Sequence, residues 1–131
     1  MKTRILVVDD DADVRELIAL VLTQSGYDVD EAADGFGALA KVPHFRPDAV
    51  LTDLRMPGMS GTELLQRIRR IHGDLPVILA TGLETMDLCT AAEAYGAVTC
   101  LEKPINLEEL VWTIEMALAV RQNSAHVNAA I

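Results

Sequence analysis

Acidic side chains are stacked near the start of this chain: Asp9, Asp10 and Asp11 follow directly on the apolar run Ile5-Leu6-Val7-Val8. Adjacent carboxylates repel and raise one another's proton affinity, so the cluster favours a cation. Any single aspartate there could instead cap a following helix and complement its dipole, and Asp11 is assigned that role. Later apolar runs also end in reactive residues: Asp53 after Ala49–Thr52, Thr81 after Pro76–Ala80, and Lys103 just beyond Ala97–Leu101. Carboxylates with neither histidine nor cysteine among them suit a hard, oxygen-preferring cation, Mg2+ above all. A hydroxyl and an ammonium opposite that ion suit a phosphoryl group. Taken singly, Asp53 could start the turn before Pro57-Gly58, Thr81-Gly82 could be an ordinary strand-ending turn, and Lys103 a solvated loop lysine. Their chemistry emerges only if the chain brings them to one rim.

The elements that would do so alternate along the sequence. Ile5–Val8 reads as a buried strand, and Val14, Leu17, Ile18, Val21 and Leu22 then fall on one helical stripe that Gly26 stops. Tyr27–Glu31 is a more polar strand suited to a sheet edge, and Asp34 can cap a short helix from Phe36 to Val42. Ser60-Gly61-Thr62-Glu63 is a capping box for a helix with Leu64, Leu65 and Ile68 inward, closed by Gly73. A helix of modest amphipathicity is expected over Thr85–Tyr95, ending at Gly96. Asn106-Leu107-Glu108-Glu109 is a second capping box, and Leu107, Leu110, Val111, Ile114 and Leu118 form the stripe of the last helix. Strands that are apolar throughout, alternating with helices, predict an α/β fold with a parallel sheet covered on both faces. Ligands of such sheets bind beyond the carboxyl ends of the strands, at the topological switch point.

Composition narrows the function classes. The chain has 131 residues, enough for one domain with a sizeable core, and only 4% are aromatic, so that core must be aliphatic. A formal charge of −9 argues against nucleic acid or an anionic membrane as a direct partner. Cys89 and Cys100 offer no zinc spacing and no disulfide framework, so a reduced, cytoplasmic setting is expected. Lys2 and Arg4 precede too few apolar residues for a signal peptide, and no run approaches a membrane span. Residues 1–121 are expected to form the domain, and 122–131, which lack a clear period, a short frayed tail.

Four segments, Ile5-Leu6-Val7-Val8-Asp9-Asp10-Asp11, Thr52-Asp53-Leu54-Arg55-Met56-Pro57-Gly58-Met59-Ser60-Gly61, Ala80-Thr81-Gly82 and Glu102-Lys103-Pro104, resemble in order and spacing the signature segments of bacterial two-component response-regulator receiver domains, in particular the single-domain, chemotaxis-regulator-like type. The resemblance covers about residues 3 to 120. It implies a three-layer, doubly wound, flavodoxin-like fold with strand order 2-1-3-4-5 and five helices. It implies that Asp53 is the phosphoacceptor, taking a phosphoryl group from a sensor histidine kinase or phosphotransfer protein. Asp9 and Asp10 would be the metal-site acids, with Asp53 and the backbone carbonyl of Arg55 completing the protein's share of an Mg2+ site. Lys103 would pair with the acceptor and then with a phosphate oxygen, and Thr81 would hydrogen-bond the phosphoryl group. The Lys103-Pro104 bond would be cis. The resemblance further implies a cytoplasmic switch that binds an unidentified downstream protein and is not an enzyme beyond slow autodephosphorylation.

Some positions depart from that pattern. Relatives carry Tyr or Phe on the fifth strand three residues before the lysine, where this chain has Cys100, and Ile105 replaces a common Phe. A cysteine cannot sweep the volume of an inward-turning ring, so a receiver-like interaction module that works without phosphorylation is the alternative. Cys100 is expected to pack as a small buried hydrophobe, and Trp112, one step off the last helix's stripe, at the edge of the core. As a calcium loop, Asp9-x-Asp11-x-Asp13 fails because Val14 stands where glycine is required and Leu20 where the bidentate glutamate belongs. A small phosphohydrolase of the haloacid-dehalogenase type is disfavoured by Asp13 at a position expecting Thr or Val, and by the missing cap and late acidic pair.

Overall fold

Short runs, mostly apolar except at the β2 edge, become strands, and the amphipathic stretches between them become the helices that cover the sheet. The structure, a computed structural model, describes residues 2–97 and 99–130. Its elements are β1 (Arg4–Val8), α1 (Ala12–Gln24), β2 (Asp28–Ala32), α2 (Gly35–Phe45), β3 (Ala49–Asp53), α3 (Gly61–Ile71), β4 (Val77–Thr81), α4 (Met86–Ala91), β5 (Thr99–Glu102) and α5 (Leu107–Ala130). All strand pairs are parallel and the order is β2-β1-β3-β4-β5, the expected doubly wound arrangement.

Period-two alternation divides the core into two halves. Ile5, Val7, Leu51, Ile78, Ala80 and Leu101 pack with Ile18 and Leu22 of α1 and Leu110, Ile114 and Ala117 of α5. On the other face Leu6, Val8, Val50, Val77 and Leu79 pack with residues of α2, α3 and α4, including Ala38, Leu64, Leu65, Ile68 and Cys89. Burial of aliphatic strands on both faces, at about 25 cal/mol per Å² of apolar surface, is the main force holding the three layers.

Local signals at the helix starts operate as read. Asp11 caps α1, its side chain accepting from the amides of Asp13 and Val14, and Asp34 caps α2 through Gly37. Ser60 caps α3 through the Glu63 amide at 3.2 Å, and Asn106 serves α5 through the Glu109 amide at 3.0 Å.

Other expectations are corrected. The helix α2 continues past Val42 to Phe45 with Pro43 inside it, ending where Arg46 adopts φ 54°. In place of one helix over Thr85–Tyr95, a 3-10 turn at Leu83–Thr85, the short α4 and a second 3-10 turn at Ala92–Tyr95 follow one another. Few inward apolar residues are available there to hold one long helix against the sheet. Gly96 ends the segment at φ 99°, as its freedom in the left-handed region allows. The strand β5 begins at Thr99, two residues later than expected; Val98 lies outside the described residues. The helix α5 spans Leu107–Ala130, and neither glycine nor proline occurs in the sequence beyond Pro104. The last residue of the expected tail, Ile131, lies outside the described residues.

Trp112 is 61% exposed and does not pack at the core's edge. The cysteines show the largest departure. Cys89 on α4 and Cys100 on β5 form a disulfide, with Cα atoms 6.0 Å apart. Cys100 is therefore not a free buried hydrophobe. The spacing of the two residues did not announce the pair, because it requires β5 to return beneath α4, a tertiary event. Among the described residues no helix is long and apolar enough to cross a membrane.

Candidate functional site

Residues at the carboxyl ends of β1, β3 and β5 meet beside the point between β1 and β3 where the sheet's winding reverses. Asp9 follows β1 directly and Asp53 is the last residue of β3. The Asp9 backbone is held by its amide bond to the Ala32 carbonyl and by Arg15, whose Nη1 donates to the Asp9 carbonyl at 2.8 Å. Arg15 is itself paired with Glu31 at 3.2 Å. The Asp9 carboxylate is 4% exposed and accepts from the Asp11 amide at 2.9 Å through Oδ1. Asp10, by contrast, is exposed.

One oxygen each from Asp9, Asp10 and Asp53 lies within 4.8 Å of the others. Lys103 answers two of them: its Nζ lies 2.9 Å from Asp9 Oδ2 and 3.1 Å from Asp53 Oδ2. Rather than pairing with the acceptor alone, as the chain's resemblance to the family implies, the ammonium bridges the two carboxylates. Burial raises the Asp53 carboxyl above its ordinary value, and the Asp9 charge adds to this, against the opposing hydrogen bond and charge of Lys103 and the Arg55 amide. For Lys103, burial alone lowers the ammonium's value, but the bonds and charges of Asp9 and Asp53 outweigh it and leave it raised. Across neutral pH the lysine is therefore a cation.

The loop after β3 is shaped by Gly61. Its amide donates to the Leu54 carbonyl at 2.8 Å, and a Cβ there would run into the Asp53 carbonyl oxygen and approach Leu54 Cα to 2.9 Å. Only glycine lets α3 start this close to the acceptor's backbone. Arg55 is exposed, and its amide makes a long bond of 3.4 Å to Asp53 Oδ1. Thr81 is buried at the end of β4, next to β3, and its hydroxyl pairs with that of Thr85. The Thr81 carbonyl accepts from the Lys103 amide at 2.8 Å, so the threonine and lysine ends of the site are joined through backbone. The peptide bond that follows, Lys103-Pro104, is cis. Sequence reasoning missed Thr85 and Cys89. Thr85 is folded back onto the end of β4 by the turn at Leu83–Thr85, where its amide and hydroxyl both donate to the Gly82 carbonyl, and no helical spacing links it to Thr81.

A doubly wound parallel domain with a carboxylate and ammonium pocket at its switch point is the class that fold and site define. Residues 5–115 match the family model described as the response regulator receiver domain. Sporulation initiation phosphotransferase F of Bacillus subtilis (strain 168) is 35% identical over 123 residues, covering 94% of this chain and 99% of that protein. Response regulator MprA of Mycobacterium sp. (strain KMS) is 41% identical over 111 residues, covering 85% of this chain and 48% of that protein. The chain thus spans about half the length of the MprA regulators it matches. The receiver domain of NtrX from Brucella abortus, 34% identical, has a TM-score of 0.84 and covers 88% of this chain and 98% of that one. The chain belongs to the response regulator receiver domain family of two-component systems.

Proposed function

We propose that Asp53 is the phosphoacceptor of a cytoplasmic signalling switch. The observation that carries this reading is the convergence of Asp9, Asp10 and Asp53 within 4.8 Å, with Lys103 bonded to the acceptor. Three carboxylates against one ammonium leave excess negative charge, and an all-oxygen donor set suits Mg2+. Asp9, Asp10, Asp53 and the Arg55 carbonyl would hold the ion, which supplies charge neutralisation for phosphoryl transfer.

The chain's own residues do the rest. A free Asp53 oxygen attacks the phosphorus of a phosphohistidine on a sensor kinase or phosphotransfer protein. The P–N bond breaks, its electron pair stays on the imidazole, and an acyl phosphate forms on Asp53. Lys103 transfers its hydrogen bond from the carboxylate to a phosphoryl oxygen. Thr81 exchanges its bond to Thr85 for one to the phosphoryl group, drawing the start of the Leu83–Thr85 turn inward. The two packings differ in the surface around α4, and an unidentified downstream protein reads that difference. The chain is thereby a substrate of its kinase rather than an enzyme acting on outside molecules.

Incubation with Mg2+ and acetyl phosphate tests the reading. A mass gain of about 80 Da, one phosphoryl group, is expected for the native chain and not for Asp53→Asn. No adduct on folded protein would overturn it. A second reading, a module that signals without phosphate, is favoured by Cys100 in place of an aromatic switch residue and by its bond to Cys89. Adduct formation that leaves partner binding unchanged would favour that second reading.

A further inference from the structure

We propose that the Cys89–Cys100 pair is a redox lock on the output side of the domain, which in its oxidised form ties α4 to β5. The signalling consequence rests on the phosphoacceptor reading above; the lock itself does not.

Apart from this bond, α4 is weakly held. Along Leu83–Tyr95 the buried side chains are Thr85, Cys89 and Ala92. Leu83, Leu88 and Tyr95 are all more than half exposed. Two of the three inward anchors are small, so the link from Cys89 to the sheet is the strongest single tether of this segment. Cys100 pairs in register with Leu79 of β4 and packs against the half of the core that includes α4. Its Cα lies 6.0 Å from that of Cys89, inside the range in which a bond forms without backbone movement.

The bond also joins the two arms of the phosphorylation site. Cys89 lies one helical turn beyond Thr85, whose hydroxyl meets that of Thr81. Cys100 lies three residues before Lys103, whose amide bonds the Thr81 carbonyl. The disulfide thus closes a ring through Thr81, Thr85, α4, β5 and Lys103. Leu88, Ala91, Ala92 and Tyr95 form one wall of a groove of about 720 Å³ whose opposite wall includes Arg55 and Pro57. Locking α4 therefore fixes the groove beside the acceptor as well.

Reversibility follows from the setting. The domain has an extensive aliphatic core and these are its two cysteines, so the bond is not a staple compensating for a small core. Cys100 is only partly buried and can be reached by a small oxidant. A low-molecular-weight disulfide supplies the oxidising equivalents. The Cys100 thiolate attacks one of its sulfurs and expels one thiolate. The Cys89 thiolate then attacks the Cys100 sulfur of the mixed disulfide and expels the second. Two protein thiols lose two electrons and two protons, and the oxidant becomes two thiols. Excess thiol reverses each step.

The test compares the full native chain after equilibration in oxidised and in reduced glutathione. Peptide mapping without reductant should show Cys89 joined to Cys100 in the first sample and both alkylated in the second. Amide exchange over Met86–Tyr95 should be about tenfold faster after reduction, with β1 and β3 unchanged. Cys100→Ser should exchange like the reduced chain in both buffers. With Mg2+ and acetyl phosphate, the phosphorylation-dependent change in exchange over the same segment should be larger in the reduced form. Absence of the cross-linked peptide, or equal exchange in both redox states, would overturn the lock. No adduct in either state, with redox-sensitive exchange intact, would overturn only the phosphoacceptor reading.

Discussion

Asp53 meets opposing demands, since a nucleophilic carboxylate must be ionised and yet sits 11% exposed beside another carboxylate. Because burial raises its carboxyl in the folded state, its contribution to stability is full below the unfolded value near 3.8 and is lost as pH rises through the folded value. Asp53→Asn removes that loss. The variant should therefore have a higher Tm than the native chain at neutral pH without Mg2+, and the gap should close in acid. A pH series of thermal melts on both proteins checks this; a gap that widens in acid would refute it. Lys103→Gln should do the opposite. It leaves two carboxylates without their cation and should cost about 1–3 kcal/mol, measured by urea unfolding. Combined with Asp53→Asn it should cost clearly less, since one of the stranded charges is gone, and a double-mutant cycle reads that coupling.

At the scale of elements, the adjacent aspartates separate by the structure each one serves. Asp11 accepts two amides at the start of α1, whereas Asp10 is exposed and offers an oxygen to the acidic cluster. Asp11→Ala should lower stability by about 1 kcal/mol and leave adduct formation with acetyl phosphate intact. Asp10→Ala should barely change stability but raise the Mg2+ concentration needed for the adduct at least tenfold. Mass spectrometry across an Mg2+ series, with melts of the same variants, distinguishes the two. Loss of Mg2+ dependence in the Asp11 variant instead would reverse the assignment. The segment around α4 shows the complementary case, in which weak local pattern left its form to tertiary packing.

For the whole molecule, ion binding and fold are linked. An ion that binds only the folded chain should stabilise it by about 1.4 kcal/mol at ten times its Kd. Thermal melts should therefore show a Mg2+-dependent rise for the native chain and a much smaller one for Asp10→Ala. Among the described side chains of α5 the last buried apolar one is Ala117, and Arg121 pairs with Asp74 at 3.4 Å. A chain ended after Arg121 should accordingly keep its fold, its Mg2+ response and its adduct, although α5 itself runs to Ala130. A cooperative melt of that shorter chain checks the 1–121 domain boundary; loss of the folded state would move the boundary outward.

Much of this was legible in the residues because it is local. Apolar runs of strand length, the caps at Asp11, Asp34, Ser60 and Asn106, and the terminal Asp53 and Thr81 each depend on neighbours within a few positions. Together they determined a parallel α/β sheet with carboxylates, a hydroxyl and an amine along one rim. Contacts between distant segments were decided only by tertiary structure. Lys103 divides between Asp9 and Asp53 because three strand ends converge, and Trp112 faces solvent because of how α5 rotates on the sheet. Cys89 meets Cys100 because β5 returns beneath α4. Spacing along a chain specifies which face of an element a side chain occupies, but which face of another element it meets depends on how the layers pack.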